Sequence, residues 1–318
     1  MKRSTKIWLI IATVLVFAGG IVFTAALAKS HWDFTSFSTV EYEVNTYEIS
    51  DSFQNISILS DTEDIFFVPS TDGKCTVTFV EKNNERHTAV AENGTLSIEK
   101  IKTEPQFTLF STLSTSITVG LPEGEYETLR IREHTGKIEL PGDYVFGDID
   151  IYVTTGDVSC SASSSGMLRI RTDTGDIRAT GIAAGELDLS VTTGRVEAEF
   201  VRCAGNMGVK VTTGKTRLTD VACGSFSSEG NTGDITLEKM TVAEMLTIKR
   251  TTGDVRFLEC DASELQITTD TGDVTGTLLS GKVFITRSDT GRINVPETVT
   301  GGRCKITTDT GNIEISIP

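Results

Sequence analysis

The aspartates that follow a recurring Thr-Gly pair are the residues whose type and spacing best suit chemistry. They are Asp157, Asp176, Asp234, Asp254 and Asp273. If the repeats stack, these carboxylates come together at one corner, where Ca²⁺ is a candidate occupant because it prefers oxygen ligands. A stacked row of acids also imitates the acidic cleft of β-helix enzymes that cut polysaccharides, so a polysaccharide-active enzyme is a second hypothesis.

Other repeats argue against both hypotheses. The same position holds Lys137, Arg195, Lys215 and Arg292, so the column alternates in sign. The glycine-rich nonapeptide of calcium-binding β-rolls does not occur. No nucleophile elbow, phosphate loop or dinucleotide fingerprint occurs either. The sequence therefore predicts a non-enzymatic protein with no catalytic residue, no cofactor and no metal beyond the calcium candidates.

Two cysteines share another repeat position. Cys203 and Cys223 each lie nine residues after a Thr-Gly glycine, in adjacent repeats. Stacked residues about 4.8 Å apart fall within disulfide reach, and an oxidising compartment permits the bridge. Other repeats carry Ala184, Val242 and Ala262 here. The alternative is therefore that the position requires only a small apolar side chain.

The Thr-Gly pair recurs ten times, always 19 or 20 residues apart. A fixed period of this size predicts a stacked repeat array. Each glycine, called position 0 of its repeat, is expected to form a corner, because glycine adopts backbone angles that other residues cannot. These structural glycines are Gly136, Gly156, Gly175, Gly194, Gly214, Gly233, Gly253, Gly272, Gly291 and Gly311.

The apolar pattern around each glycine predicts strands. Apolar or small residues occupy positions −7, −5, +2 and +4, as in Leu168, Ile170, Ile177 and Ala179. Spacing by two is strand periodicity. The fold class is therefore all-β, a parallel β-solenoid of about ten coils of 19 or 20 residues. In such a stack Ile170 and Leu189 become vertical neighbours.

The threonine at position −1 supports two interpretations. Its hydroxyl either bonds along the stack or caps the corner, as short polar side chains do in turns. Otherwise the ten threonines form a ladder of hydroxyls that faces a ligand.

An apolar segment precedes the repeats. Residues Ile7–Ala28 hold no charge over 22 positions, a length that crosses the hydrocarbon core of a membrane as a helix. Lys2, Arg3 and Lys6 come before it, which predicts a cytoplasmic N-terminus and an extracytoplasmic body at the cell membrane. The alternative is a signal peptide cleaved near Ala28, which leaves the body secreted.

The chain divides into four predicted parts. Residues 1–28 form the basic stub and transmembrane anchor, and residues 29–46 a stalk. Residues 47–124 form a degenerate first coil, with Glu63 in place of the glycine, and an antiparallel β cap with a hairpin turn at Asn93-Gly94. Residues 125–318 form the solenoid. Its last repeat, with Ile306, Ile313 and Ile315, is expected to end the stack, where end-to-end self-association is one outcome.

The net charge restricts the classes of partner that the protein is expected to bind. The formal net charge is −15, which argues against nucleic acid. The cytoplasmic membrane is the first predicted partner, through Ile7–Ala28. The second is an envelope or surface protein or a glycan, whose identity the sequence does not indicate.

The recurrent Leu-x-Ile-x-Thr-x-Thr-Gly-Asp-Ile coil resembles a bacterial domain-of-unknown-function family described as putative adhesins. The strand Ile117-Thr118-Val119-Gly120-Leu121-Pro122 and the anchor that runs into Tyr47-Glu48-Ile49 carry the same resemblance. It implies an exported, often membrane-anchored β-solenoid of bacterial, Gram-positive origin. Some relatives are associated with cell-envelope stress systems. The family supplies no catalytic residues to carry over.

The favoured function is therefore adhesion, or a scaffold surface in the cell envelope, on a rigid membrane-anchored rod. Solenoids suit this role because they offer long, stiff surfaces without a pocket. The alternative is an envelope-stress accessory or regulatory protein that acts through its anchor. The polysaccharide-active enzyme is the third hypothesis.

Overall fold

The computed structural model describes residues 3–29, 41–101 and 114–317. One helix, α1, spans Arg3–Lys29. Within the described residues, the regular elements after it are strands: β1 Tyr42–Ile49, β2 Asn55–Ser60, β3 Asp64–Pro69, β4 Cys75–Lys82, β5 Arg86–Glu92, β6 Thr95–Ile101, β7 Ser116–Leu121, β8 Gly124–Thr135, β9 Ile138–Leu140, β10 Tyr144–Thr155, β11 Val158–Cys160, β12 Ser163–Thr174, β13 Ile177–Thr180, β14 Ala183–Thr193, β15 Val196–Cys203, β16 Asn206–Thr213, β17 Thr216–Cys223, β18 Ser225–Thr232, β19 Ile235–Thr252, β20 Val255–Thr271, β21 Val274–Leu278, β22 Lys282–Thr290, β23 Ile293–Asn294, β24 Gly302–Thr310 and β25 Ile313–Ser316.

Helix α1 is apolar around its whole circumference. The segment Trp8–Lys29 has a mean hydropathy of 2.5, and its 22 residues are enough to cross a membrane. A helix without a polar face is suited to an apolar environment rather than to the surface of a soluble domain. A signal sequence near the N-terminus has the same length and composition.

The body is a parallel β-solenoid, as the repeat predicts. Strand β12 pairs with β14 so that Ile170 lies against Leu189, and β13 pairs with β15 so that Ile177 lies against Val196. All four side chains are buried. Each such side chain contributes about 1.5 to 3 kcal/mol when it is fully buried. One coil cannot bury its own apolar face, so this free energy is gained only by stacking.

The order of the coils departs from the order of the sequence at the C-terminal end. Strand β24 lies between β20 and β22, so Cys304 pairs with Leu265 on one side and Phe284 on the other. The predicted end position of the last repeat is therefore wrong. Ile313 is buried, whereas Ile293, at the same repeat position, is 44% exposed.

The polarity of the side chains explains why the ninth and tenth repeats exchange places in the stack. The ninth repeat places Thr286 at an inward position that is apolar in most coils, and this side chain is only partly buried. A coil of this kind is suited to the end of the stack, where one side meets water. The last repeat carries Ile306, Ile313 and Ile315 and instead gains ladder partners on both sides. End-to-end self-association stays a prediction, with β22 and β23 at this end.

At the N-terminal end, too, the order of the coils departs from the order of the sequence. Ile56 and Ile58 pair with Leu129 and Ile131, so residues 55–69 form the degenerate coil that the sequence predicts. On its other side, β6 and β7 pair parallel to β2 and β3. This additional coil comes later in the chain but lies further out in the stack.

An antiparallel cap covers this end. Strand β1 pairs with β4, β4 with β7, and β5 with β6, all antiparallel. Asn93 and Gly94 have φ values of 52° and 77° and join β5 to β6 in the predicted hairpin. Strand β1 begins at Tyr42, inside the predicted stalk of residues 29–46. Residues 30–40 of that stalk lie outside the described part of the chain.

Arg250 places a charged side chain at an inward position of the solenoid. Arg250 is 5% exposed, and its Nη2 donates to Ser228 Oγ at 2.9 Å and to Thr216 Oγ1 at 3.3 Å. Gly230 makes room for it, because a Cβ at Gly230 would lie 1.7 Å from Arg250 Nη1. Among the described residues no carboxylate forms an ion pair with Arg250. Burial lowers the pKa of Arg250 to about 10.

Candidate functional site

The corner glycines stack directly on one another. Gly175 has a φ of 140°, and a Cβ on it would lie 2.0 Å from the carbonyl oxygen of Gly156. Both the conformation and the contact therefore exclude a side chain. The column follows the order of the stack, so Gly311 lies on Gly272, and Gly291 lies on Gly311.

The predicted aspartate column forms a ladder of side-chain to backbone hydrogen bonds at these corners. Each carboxylate accepts the backbone N–H of the equivalent residue in the next coil of the stack. Asp176 N donates to Asp157 Oδ1 at 2.8 Å, and Asp273 N donates to Asp254 Oδ1 at 2.9 Å. Asp176, Asp234 and Asp273 accept from Arg195, Asp254 and Asn312 in the same way. One oxygen of each acid is thus used structurally.

Basic residues in the column pair with its acids. Arg195 Nε lies 3.2 Å from Asp176 Oδ2, and Lys215 Nζ lies 3.4 Å from Asp234 Oδ2. The described chain contains no group of three or more His, Cys, Asp or Glu arranged to hold a metal ion. The structure therefore stacks neighbouring acids without converging them, and calcium binding stays a prediction.

The threonines at position −1 all point outward. They form one exposed column in register across all ten glycine-marked coils, from Thr135 to Thr290. The capping of the corner that the sequence suggested for them is performed from position −3 instead. Thr172 Oγ1 donates to the Gly156 carbonyl at 3.1 Å, and Thr308 Oγ1 donates to the Gly272 carbonyl at 3.2 Å. Continued strand alternation would put positions −3 and −1 on the same face, but the alternation ends at the corner, where Thr172 is buried and Thr174 is exposed.

A second glycine column was missed in the sequence. Gly147, Gly166, Gly185, Gly205 and Gly224 each lie nine residues before a corner glycine. A Cβ at Gly185 would lie 2.8 Å from the Gly166 carbonyl oxygen, so these positions also exclude side chains. Two of them, Gly185 and Gly224, line a shallow cavity of about 550 Å³ at another corner, together with small neighbours such as Ala184 and Ala243. The fixed spacing of nine residues was the signal for this column.

Cys203 and Cys223 also line this cavity. All six cysteines are free thiols in the structure. Cys203 Sγ contacts the carbonyl oxygens of Gly185 and Asn206 at 3.6 Å and 3.4 Å. Burial raises the pKa of Cys223 to about 12, which disfavours the reactive thiolate. A disulfide between the two stays a prediction.

The most concentrated group of buried charges lies where the cap meets the first coils. We call Glu63, Glu81, His87, Lys100 and Glu133 the junction cluster. Glu63 is buried at the corner above Gly136, and His87 lies between two acids. His87 Nδ1 is 2.8 Å from Glu81 Oε2, and its Nε2 is 3.5 Å from Glu63 Oε1. Lys100 Nζ donates to Glu63 Oε1 at 3.1 Å.

The surroundings shift the pKa values of Glu63, His87 and Glu133 in the junction cluster. Burial opposes ionisation of Glu63, but hydrogen bonds from His87, Ser60 and the backbone, with the charge of Lys100, hold its pKa well below the usual range. Burial alone would lower the pKa of His87, but Glu63 and Glu81 raise it. Burial and the charge of Glu63 raise the pKa of Glu133 to about 8. Glu133 Oε2 is buried without a hydrogen-bond partner.

Sequence reasoning noticed only Glu63 of this cluster. Glu81 continues the inward face of β4 after Val77 and Phe79, and a carboxylate at such a position was an available signal. His87 gave no local signal, because antiparallel pairing of β5 with β6 brings it to the site.

A smaller charged group lies near the other end. Lys282, only 3% exposed, donates from Nζ to Asp261 Oδ1 at 2.8 Å and to Ser280 Oγ at 2.5 Å. The three residues line a cavity of about 600 Å³. Burial alone would raise the pKa of Asp261, but Lys282 and Ser280 lower it. The Lys282 side chain is therefore engaged by both Asp261 and Ser280.

The geometry as a whole defines a repeat protein of the β-solenoid class, with extended exposed columns and charged groups engaged in structural contacts. The family model described as Toastrack DUF4097 matches residues 53–218 and 202–318, and the chain belongs to this family. No curated protein matches the chain.

Several solved bacterial structures match most of the chain. A "putative adhesin" from Bacteroides fragilis is 13% identical, with a TM-score of 0.46, over 87% of this chain and 97% of that one. A "putative adhesin" from Parabacteroides merdae is 10% identical, with a TM-score of 0.48, over 87% and 96%. A "putative lipid binding protein" from Parabacteroides distasonis is 11% identical, with a TM-score of 0.43, over 88% and 98%.

Proposed function

We propose that this protein is a non-enzymatic rod, anchored in the cytoplasmic membrane by α1, whose extracytoplasmic solenoid presents an adhesive or scaffolding surface in the cell envelope. The basic residues that precede α1 favour a cytoplasmic N-terminus. Membership of the Toastrack family accords with a β-solenoid body.

The observation that carries this proposal is the exposed threonine column. Parallel strands place successive hydroxyls about 4.8 Å apart along the stack. Thr155, Thr174 and Thr193 are in register with one another, and the same pairing continues to Thr271. A long surface of equally spaced polar groups suits an extended partner, such as an envelope glycan or protein, better than a small substrate.

The charged groups favour a non-enzymatic role. The corner aspartates accept backbone N–H groups, and Lys282 is held by Asp261. These groups stabilise the stack and are therefore less available as nucleophiles or general bases.

Adhesion of whole cells tests the proposal. Cells that express the protein are compared with cells that express Thr213→Lys/Thr232→Lys, for attachment to envelope glycan and to neighbouring cells. A matched control, Thr241→Lys/Ala243→Lys, adds the same charge at exposed residues of another corner. We expect attachment to fall at least about tenfold only for the first variant, because two desolvated charges disrupt a packed contact. Equal attachment of all three proteins at equal surface abundance would contradict the proposal.

A further inference from the structure

The junction cluster joins the cap to the solenoid through titratable groups. Glu63 belongs to the corner between β2 and β3, and Glu133 belongs to β8. Glu81, His87 and Lys100 belong to the cap strands β4, β5 and the outermost coil strand β6. Every one of the three buried carboxylates and the histidine is at most 3% exposed. We propose that this cluster is a proton-dependent latch, which loosens β4 and β5 from the first coils when His87 and Glu133 lose their protons at alkaline pH.

The position of His87 supports the latch. Its ring stacks on Phe79, with 5.1 Å between ring centroids, and it is flanked by carboxylates on both nitrogens. A charged imidazolium satisfies both acids at once, whereas a neutral ring can donate from only one nitrogen. Loss of the proton therefore removes the cation that lies between the two buried acids, which is costly in a buried site, although Lys100 still donates to Glu63 and Asn45 to Glu81.

Glu133 acts in the same direction. Its Oε1 accepts from the backbone N–H groups of His134 and Thr135 at 3.0 Å and 3.2 Å, and Oε2 has no partner. The nearby charge of Glu63 disfavours a second carboxylate. Lys100 of the same cluster is already shared between Glu63 and Glu85, at 3.1 Å and 3.3 Å. Ionised Glu133 therefore adds an uncompensated buried charge.

The direction of the pH dependence follows from these groups. The pKa of His87 is raised above its ordinary value of 6.5, so its stabilising charge is fully present below about pH 6.5 and is lost as pH rises through the folded-state pKa. The pKa of Glu133 is raised from 4.5 to about 8 in the folded cap, so its contribution to cap stability falls as pH rises from about 4.5 to about 8 and changes little above that. The pKa of Glu63 is lowered, so its contribution to cap stability is present above about pH 4.5 and is lost as pH falls through the folded-state pKa.

The latch also contacts the strand that follows the anchor. Asn45 Nδ2 of β1 donates to Glu81 Oε1 at 2.7 Å. Arg86, which lies 3.4 Å from Glu81, forms an ion pair with Glu43 of β1 at 2.7 Å. Loosening at Glu81 is therefore transmitted to β1, the first strand after α1 among the described residues.

Hydrogen exchange of the full chain in membrane mimetic tests the latch, with rates corrected for the intrinsic effect of pH. Between pH 7 and pH 9, we expect the opening of β4 and β5 to rise about tenfold, which corresponds to one pKa unit. Strands β14 and β16 should not change. Glu133→Gln removes one titrating group and should suppress most of the rise. The matched control Glu199→Gln, at an exposed site, should preserve it.

Two results would overturn the latch. One is the same pH profile for Glu133→Gln as for the unmodified protein. The other is opening of β14 and β16 in parallel with the cap, which would indicate global unfolding. A second variant guards against misfolding: His87→Gln cannot gain a proton, so its cap should already open about tenfold more at pH 6. If the cap of that variant were as well protected from exchange at pH 6 as the cap of the unmodified protein, the latch would also be contradicted.

Discussion

Gly311 packs directly on Gly272, although Gly291 lies between them in the sequence. A Cβ at Gly311 would lie 2.0 Å from the Gly272 carbonyl oxygen. The final repeat is thus enclosed between two coils, and the ninth repeat forms the end. Chain termini fray unless they are tied down, and strands that pair on both sides secure the C-terminal segment against such fraying.

This enclosure predicts different costs at equivalent positions. Ile313 and Ile293 both follow a corner glycine by two residues, but Ile313 is buried and Ile293 is 44% exposed. We expect Ile313→Ala to lower the free energy of unfolding by about 2 to 5 kcal/mol, and Ile293→Ala to lower it by less than about 1 kcal/mol. Urea denaturation measures both. Equal costs would show that the two repeats are not exchanged.

The corner glycines should tolerate no side chain. We expect Gly175→Ala to destabilise the protein by at least about 3 kcal/mol, because strain in φ adds to a clash with the Gly156 carbonyl. Gly181 is the matched control: its φ is 70°, and nothing lies within 4 Å of its Cβ position. Gly181→Ala should cost only about 1 kcal/mol. Thermal unfolding distinguishes them, and similar costs would argue against stacked corners.

The aspartate ladder predicts that, at these positions, the shape of the side chain matters more for stability than its charge. Asn312 Oδ1 already accepts the Arg292 backbone N–H at 3.0 Å, so an amide performs the same role. Asp254→Asn should change stability by less than about 0.5 kcal/mol, whereas Asp254→Ala should cost about 1 to 2 kcal/mol. Unfolding with and without Ca²⁺ or chelator measures both effects. A large calcium-dependent loss in Asp254→Asn would instead favour the calcium hypothesis.

Arg250 and Gly230 should be energetically coupled. Gly230→Ala places a methyl group against Arg250 and should cost more than about 2 kcal/mol. Arg250→Met removes a buried charge that has no carboxylate partner in the described chain, and it should be neutral or stabilising. The double variant should recover part of the loss, because the Val211 carbonyl oxygen lies 2.3 Å from the same Cβ position and still clashes; a double-mutant cycle measures this coupling. Strict additivity would contradict the contact.

The repeat made most of the solenoid predictable. The period of Thr174-Gly175 and its equivalents fixed the coils, and alternation identified Ile170 and Leu189 as inward neighbours before any coordinates. Asn93-Gly94 likewise identified the hairpin, because few residues adopt its backbone angles. Local periodicity is sufficient for these features, since each depends on residues close in the chain.

The order of the coils and the junction cluster were not predictable in the same way. Repeats nine and ten both carry Thr-Gly, so either fits on Gly272, and polar Thr286, where the last repeat has Ile306, distinguishes them. His87 reaches Glu63 because β6, the hairpin partner of β5, pairs with β2 much earlier in the chain, which spacing does not encode. Threonine at −1 misled for a different reason: the sequence indicates that a hydroxyl caps the corner, but not that strand alternation ends before position −1.

The order of the corners determines which side chains are buried and which face outward, so disulfide trapping at the threonine column is the most direct measurement. Adjacent threonines lie about 5 Å apart and are within disulfide reach, whereas threonines two coils apart, about 10 Å away, are not. The native cysteines are all buried and should not interfere. Thr271→Cys/Thr310→Cys should oxidise nearly completely, and Thr271→Cys/Thr290→Cys should stay reduced. The reverse result would contradict the stacked order.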